Sequence, residues 1–210
     1  MLDVHPPHSK LEGVRDFLLH IFTITVGLLI ALGLEGCVER YHKAEIRHEA
    51  EANLRQEMRA NKKKMDDWQS VLKEEEKNLK MVLNFIEARK AGQTADISKV
   101  NLSYSIRSLD DASWRTATAT GALSLMDYND VQKYAGAYQV QDRVSDLQKE
   151  ALNEYLQLQA RATYIDPLKA DAAQLAEAEP LAAVAYAHVA TMETVGKKLG
   201  ELYEEILKEK

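Results

Sequence analysis

The spacing best suited to chemistry is Glu45-Ile-Arg-His48, which puts a carboxylate and an imidazole one helical turn apart, with His42 and Glu49 on adjoining faces. Helical bundles that hold two irons use such an i, i+3 pair, because both side chains reach the same point beside the helix. A centre of that kind also needs a second pair and further Glu-bearing helices around it. This segment instead abuts an apolar run, where His and Arg meet lipid headgroups, so no metal is expected there. His5 and His8 flank Pro6 and Pro7 in a terminal stretch too mobile to form a site.

The most distinctive polar stretch is Trp114-Arg115-Thr-Ala-Thr-Ala-Thr-Gly121. Its small residues suit close helix packing around Trp114. The functional alternative is a ligand or partner contact made by Trp114, Arg115 and Thr118. Tyr134, Tyr138 and Tyr155 have no basic residues interleaved on their face, so they read as core and rim aromatics rather than a base-stacking platform. His188 is the only ionisable residue on the apolar stripe of the last helix. One satisfied by a neighbouring hydrogen bond is a plainer reading than a pH switch.

Composition narrows the classes further. With 33 acidic against 27 basic residues in 210, the net charge is −6, which argues against a nucleic-acid partner. The single cysteine, Cys37, excludes an intrachain disulfide and a Cys-based zinc site. No hydrolase elbow, P-loop, dinucleotide fingerprint or zinc pattern is present. The many carboxylates are what a solvated helical surface requires. A non-enzymatic chain without a cofactor is therefore expected. Few Gly and Pro beside abundant Ala, Leu and charge favour an all-α fold.

Positioning begins with Phe17–Leu34, eighteen residues without a charge. A helix of that length reaches ~27 Å, close to a hydrocarbon core of ~30 Å. The run is longer than the ~7–15 residues usual in a signal peptide's apolar region, and no small-x-small cleavage site follows it. The expected division is therefore a mobile tail at 1–16, a transmembrane helix at 17–36 and a helical bundle at 37–210. Thr23 and Thr25 can bond back to carbonyls of the preceding turn. Gly27 and Ala31, four apart, would let two such helices approach closely, so a homodimer contact is a candidate there. Leu34-Glu-Gly-Cys37 resembles the lipobox of bacterial lipoproteins, in which the cysteine is lipidated, but Glu35 departs from it.

Lys10 and Arg15 before the span are balanced by Arg40, Lys43 and Arg47 after it, which leans toward a cytoplasmic C-terminal domain. A short tail before a long domain is the usual signal-anchor arrangement, and long domains translocate largely regardless of charge. The expectation is a single-pass protein of the bacterial inner membrane with a periplasmic domain. Its partners would be the bilayer, an unknown protein and a second copy of itself.

Between Val38 and Arg89 nothing stops a helix, and Leu54, Met58, Asn61, Met65, Trp68, Leu72, Glu75, Leu79, Val82 and Ile86 form a heptad stripe. Asn61 and Glu75 interrupt it, either to fix register or because they lie at its margin. Gly92 suits a left-handed cap. A capping-box-like Ser108-Leu-Asp-Asp111 should start a short helix over about 109–120, closed by Gly121, and Asp127 should cap another over about 128–165. Pro167 and Pro180 then punctuate the chain, leaving a last helix over about 181–208 with a stripe of Leu181, Ala185, His188, Met192, Val195, Leu199, Leu202 and Ile206. These helices would pack as an antiparallel bundle.

Phe22-Thr-Ile-Thr-Val-Gly-Leu-Leu-Ile-Ala-Leu-Gly-Leu-Glu35 is similar to the anchor of uncharacterised bacterial single-pass membrane protein families. In those families a V-G-x-L-I-A-L span leads into a charged helix. A later W-x-x-A-x-x-x-G-A-L turn is matched here by Trp114, Ala117, Gly121, Ala122 and Leu123. The resemblance implies an inner-membrane protein with a helical domain and brings no activity. The sequence thus points to an interaction or scaffolding module. The alternative is a periplasmic sensor or ligand-binding bundle with a pocket near Trp114 and Arg115.

Overall fold

The computed structural model describes residues 13–208, and within them every regular element is helical. The elements are α1 (Val14–Lys90), α2 (Ala112–Ala119), a single 3-10 turn (Ala122–Leu125), α3 (Tyr128–Tyr164) and α4 (Ala172–Lys208). Most of the tail expected to be mobile at 1–16, with His5 and His8, lies outside the described residues; Val14 already begins a helix. The chain divides into two units, one up to His48 and the other from Glu49 onward.

The first unit is the leading part of α1. Its large apolar side chains are exposed, with Phe22 at 65%, Leu29 at 63% and Leu34 at 64%. Among the described residues this is the one helix long and apolar enough to cross a membrane. The Thr23 hydroxyl donates to the Leu19 carbonyl at 2.9 Å, so this polar side chain satisfies itself within the helix.

In the second unit three long helices bury stripes of period 3.5, the spacing that keeps one face on a partner helix. All ten stripe residues expected on α1 are buried, from Leu54 to Ile86. α3 buries Tyr134, Ala137, Gln141, Val144, Gln148, Ala151, Tyr155 and Leu158. Ala162 and Ile165, next along the chain at the same spacing, fall beyond its buried part.

Cross-helix pairs fix the directions. Tyr138 bonds Glu57 and Tyr155 bonds the Glu75 carbonyl, so α1 and α3 run parallel. Arg55 reaches the carbonyls of Ile206 and Leu207, while Lys90 meets Glu179, so α4 runs against α1. The expected antiparallel bundle is thus corrected for one pair. α1 and α3 are parallel because residues 91–111 carry the chain back along the bundle before α3 starts.

The last helix differs from expectation in two ways. It begins at Ala172 rather than near 181, and Pro180 lies inside it. Proline removes the bond to the carbonyl four residues back. Here that carbonyl belongs to Ala176, and both residues are exposed, so water can take the freed acceptor. The start is set by a reciprocal cap, with Asp171 N–H donating to Gln174 Oε1 at 3.0 Å and Gln174 N–H to Asp171 Oδ1 at 2.8 Å. The buried stripe is also rotated. It runs through Ala182, Ala185, Val189, Met192, Gly196, Leu199, Tyr203 and Ile206, leaving Leu181, His188, Val195 and Leu202 half-buried at its flank.

Small residues at its centre let α4 approach α1 closely. A Cβ added at Gly196 would lie 2.5 Å from Met65 Cε and 3.1 Å from Gln69 Nε2. Alanine could be accommodated by a shift of the flexible Met65. A Gly196→Leu chain could not, and overpacking should lower stability by about 1–3 kcal/mol, measured by denaturant unfolding.

Candidate functional site

Extended backbone carries N–H and C=O groups that no helix ladder satisfies, and burying them unpaired is costly. Residues 101–113 solve this with side chains from the helices they cross. Asn78 Oδ1 accepts from Asn101 N–H at 3.3 Å, and Glu75 Oε1 from Ser105 N–H at 2.8 Å. Gln148 Oε1 on α3 accepts from Arg107 N–H at 2.8 Å. Asn61 grips both sides of one residue, donating to the Asp110 carbonyl at 2.7 Å and accepting from Asp110 N–H at 2.8 Å. Gln141 donates to the same carbonyl at 2.9 Å, and Glu57 Oε2 accepts from Ser113 N–H at 2.8 Å. Tyr203 closes the network on Gln141, linking α4 to it.

The polar interruptions of the α1 stripe are therefore clamps on the return segment, not marginal positions. All six of Glu57, Asn61, Glu75, Asn78, Gln141 and Gln148 are buried. Sequence reasoning missed four of them. Their signal was present in Gln141 and Gln148, seven residues apart on the α3 stripe, and in Glu57 and Asn78, which neighbour the two interruptions. Replacing Asn61 with Leu removes a donor and an acceptor at a part-buried contact and leaves the Asp110 N–H without its partner. The expected loss is about 2–3 kcal/mol, with hydrogen exchange rising selectively over 101–113.

Glu75 is the most perturbed carboxyl among the described residues. Burial pushes its carboxyl up to about 7, opposed by the Ser105 N–H bond and by the charge of Arg107. Its second oxygen has no hydrogen-bond partner. The rings of Tyr104 and Tyr155 lie 4.7 Å apart beside this group, and burial first, then the Glu75 charge, raises both phenols. This acid lies under the return segment, away from any open cleft.

The stretch singled out around Trp114 opens α2. The helix starts at Ala112 instead of about 109, and Asp111 precedes it without the side-chain cap that a capping box would supply. Asp111 pairs with Arg115 at 3.0 Å instead, while Asp110 and the Ser108 carbonyl are held by Lys64. Trp114 stacks on Tyr138 with ring centroids 5.1 Å apart. The Thr118 hydroxyl donates to the Trp114 carbonyl at 2.8 Å. Arg115 lines a wide, open polar cleft together with Asn53, Gln56, Glu57 and residues 108–113. Gly121 closes α2 at φ +74°, and Asp127 caps α3 by accepting from Asn129 N–H at 2.8 Å.

The more enclosed cavity lies at the other end of the bundle. The last turns of α1, the return segment, the end of α3 and the start of α4 surround about 70 Å³ lined by Val82, Phe85, Ile86, Leu102, Leu158 and Leu175, among other apolar residues. Arg161 and Gln174 are the polar residues of that lining.

The remaining candidates stand apart. His188 is half-buried between two carboxylates of α3, its Nδ1 3.3 Å from Glu154 and its Nε2 3.5 Å from Glu150. A second Glu-x-x-His, Glu39 to His42, precedes Glu45 to His48 on the same helix, so the two cannot close around one metal pair. Glu39 pairs with Lys43 at 2.6 Å. Among the described residues no three His, Cys, Asp or Glu side chains gather as metal ligands. Gly27 is open, with nothing within 4 Å of an added Cβ. Comparison with protein-family models, with curated proteins and with solved structures finds no match to this chain.

Proposed function

We propose that this chain is a non-enzymatic helical bundle tethered to the bacterial inner membrane through Phe17–Leu34, and that it acts there as an interaction or scaffolding module. The observation that carries the reading is the exposure of the large apolar side chains from Phe17 to Leu34 beside a bundle that buries its own apolar stripes. An uncovered apolar run of that length far exceeds what a soluble surface leaves exposed, and lipid is its natural solvent. The non-enzymatic part rests on the use of the buried polar groups: each clamp residue bonds the return segment, and none lines the enclosed cavity.

The bundle stands outside the membrane on the periplasmic side in this reading, and Gly27 and Ala31 provide the self-association face. Cys37 gives a direct test. In intact cells a membrane-impermeant maleimide should label Cys37 without permeabilisation. Labelling only after permeabilisation would place the bundle in the cytoplasm and redirect the search to cytosolic partners. A Gly27→Ile, Ala31→Ile chain should lose crosslinked dimer in membranes, and unchanged crosslinking would remove that face from the account.

A further inference from the structure

Where α1 ends, the helices and the return segment leave a half-open apolar space of about 70 Å³ between them. Interiors hold few spaces larger than a water molecule. Water is a poor occupant here, because it needs polar partners and the walls are aliphatic and aromatic. Of the two polar residues in the lining, Gln174 is already engaged, its Oε1 taken by the Asp171 N–H. Arg161 remains, with its Nη1 on Glu177 Oε2 at 2.5 Å. That carboxylate comes from a side chain 65% exposed. A guanidinium carries five donors, so one monodentate carboxylate leaves others to offer.

From this arrangement we infer that the end of the bundle formed by Phe85, Leu158, Arg161 and Leu175 is a binding site for a short-chain aliphatic carboxylate. The hydrocarbon tail fills the cavity and the carboxylate lies on Arg161, beside or in place of Glu177. The size follows from the space: a cavity of about 150 Å³ takes the six carbons of benzene, so one about half as large takes a tail of roughly three carbons. The site is distinct from the open cleft at Arg115 and does not depend on the tethering proposal.

The test uses the full chain in lipid nanodiscs, with unfolding followed by tryptophan fluorescence during titration with butanoate, acetate, butanol and butylammonium. Butanoate should raise the midpoint saturably, and the other three should do so at least tenfold more weakly. Arg161→Gln should weaken butanoate about tenfold, and Ala178→Leu, which fills the cavity, should abolish the shift while raising the midpoint without ligand. Ala162→Leu fills the same space from α3 and takes over should Ala178→Leu not fold. No saturable shift with butanoate, equal shifts with butanoate and butylammonium, or a response that survives cavity filling would each overturn the assignment.

Discussion

Trp68→Ala should lower the stability of the bundle by about 3–5 kcal/mol, the upper end of what truncating one core side chain costs. Trp68 is fully buried at the middle of the α1 stripe. Removing its ring deletes the largest side chain of the core and leaves a space that flanking helices, held in register by the clamps, cannot collapse to fill. For a domain of this size that loss corresponds to a fall in Tm of roughly 10 °C. Trp68→Phe should cost much less, about 1–2 kcal/mol. The indole Nε1–H has no hydrogen-bond partner, so phenylalanine loses volume and at the same time removes an unsatisfied buried donor. Trp114 remains as the fluorescence reporter in both variants. Equal costs for Ala and Phe would mean that the indole N–H is satisfied by a group such as a bound water, and that the middle of the core is wetter than described.

The second large effect is a pH dependence. Glu75 holds a folded carboxyl near 7, above the ordinary value of 4.5. The folded state therefore binds its proton more tightly than the unfolded chain, and stability from this group is fully present below about pH 4.5. It falls as pH rises and is lost once pH passes 7. The span corresponds to about 3 kcal/mol. Glu75→Gln keeps an acceptor for the Ser105 N–H and cannot ionise. Its stability relative to the parent chain should rise by about 3 kcal/mol between pH 4.5 and pH 8, whatever constant offset the amide introduces. A flat difference across that window would contradict the burial argument. The return segment should report the same transition locally, with amides near Ser105 less protected, relative to their intrinsic exchange rates, above pH 7 than below pH 5.

The long helices were legible because their signals are local or periodic. The α1 stripe from Leu54 to Ile86 repeats every 3.5 residues, and each of its ten members is buried, polar ones included. Gly92 ends α1 at φ +73°, with Gln93 N–H on the Ala88 carbonyl and Gly92 N–H on that of Arg89, the double bond of a left-handed helix stop. Asp127 caps α3 where a cap was expected.

The stripe of α4 was misplaced because size drew the pattern toward Leu181, Val195 and Leu202, whereas close approach to α1 selects Ala182, Gly196 and Tyr203 instead. Its start was missed because Pro180 reads as a stop, while Asp171 and Gln174 formed a cap upstream of it. The direction of α3 was hidden for a different reason. A loop of about twenty residues can return a chain or leave it where it is. What decides is a set of polar side chains from two helices, each ordinary in its own context. The cavity had no signature at all, since four separate elements contribute its walls. Trp114, Arg115 and Thr118 were findable by composition, and the structure commits Trp114 to Tyr138, Arg115 to Asp111 and Thr118 to its own helix.

The tether is tested most directly by alkaline carbonate extraction of membranes from cells expressing the chain, followed by flotation. The full chain should stay with the lipid after extraction. A Leu28→Arg, Leu29→Arg chain, carrying two charges at the centre of the span at ~2.5–3.5 kcal/mol each, should appear in the soluble fraction as a folded bundle. Release of the unmodified chain by carbonate, or retention of the double variant, would contradict a membrane helix at Phe17–Leu34 and leave its exposed apolar face to a protein partner.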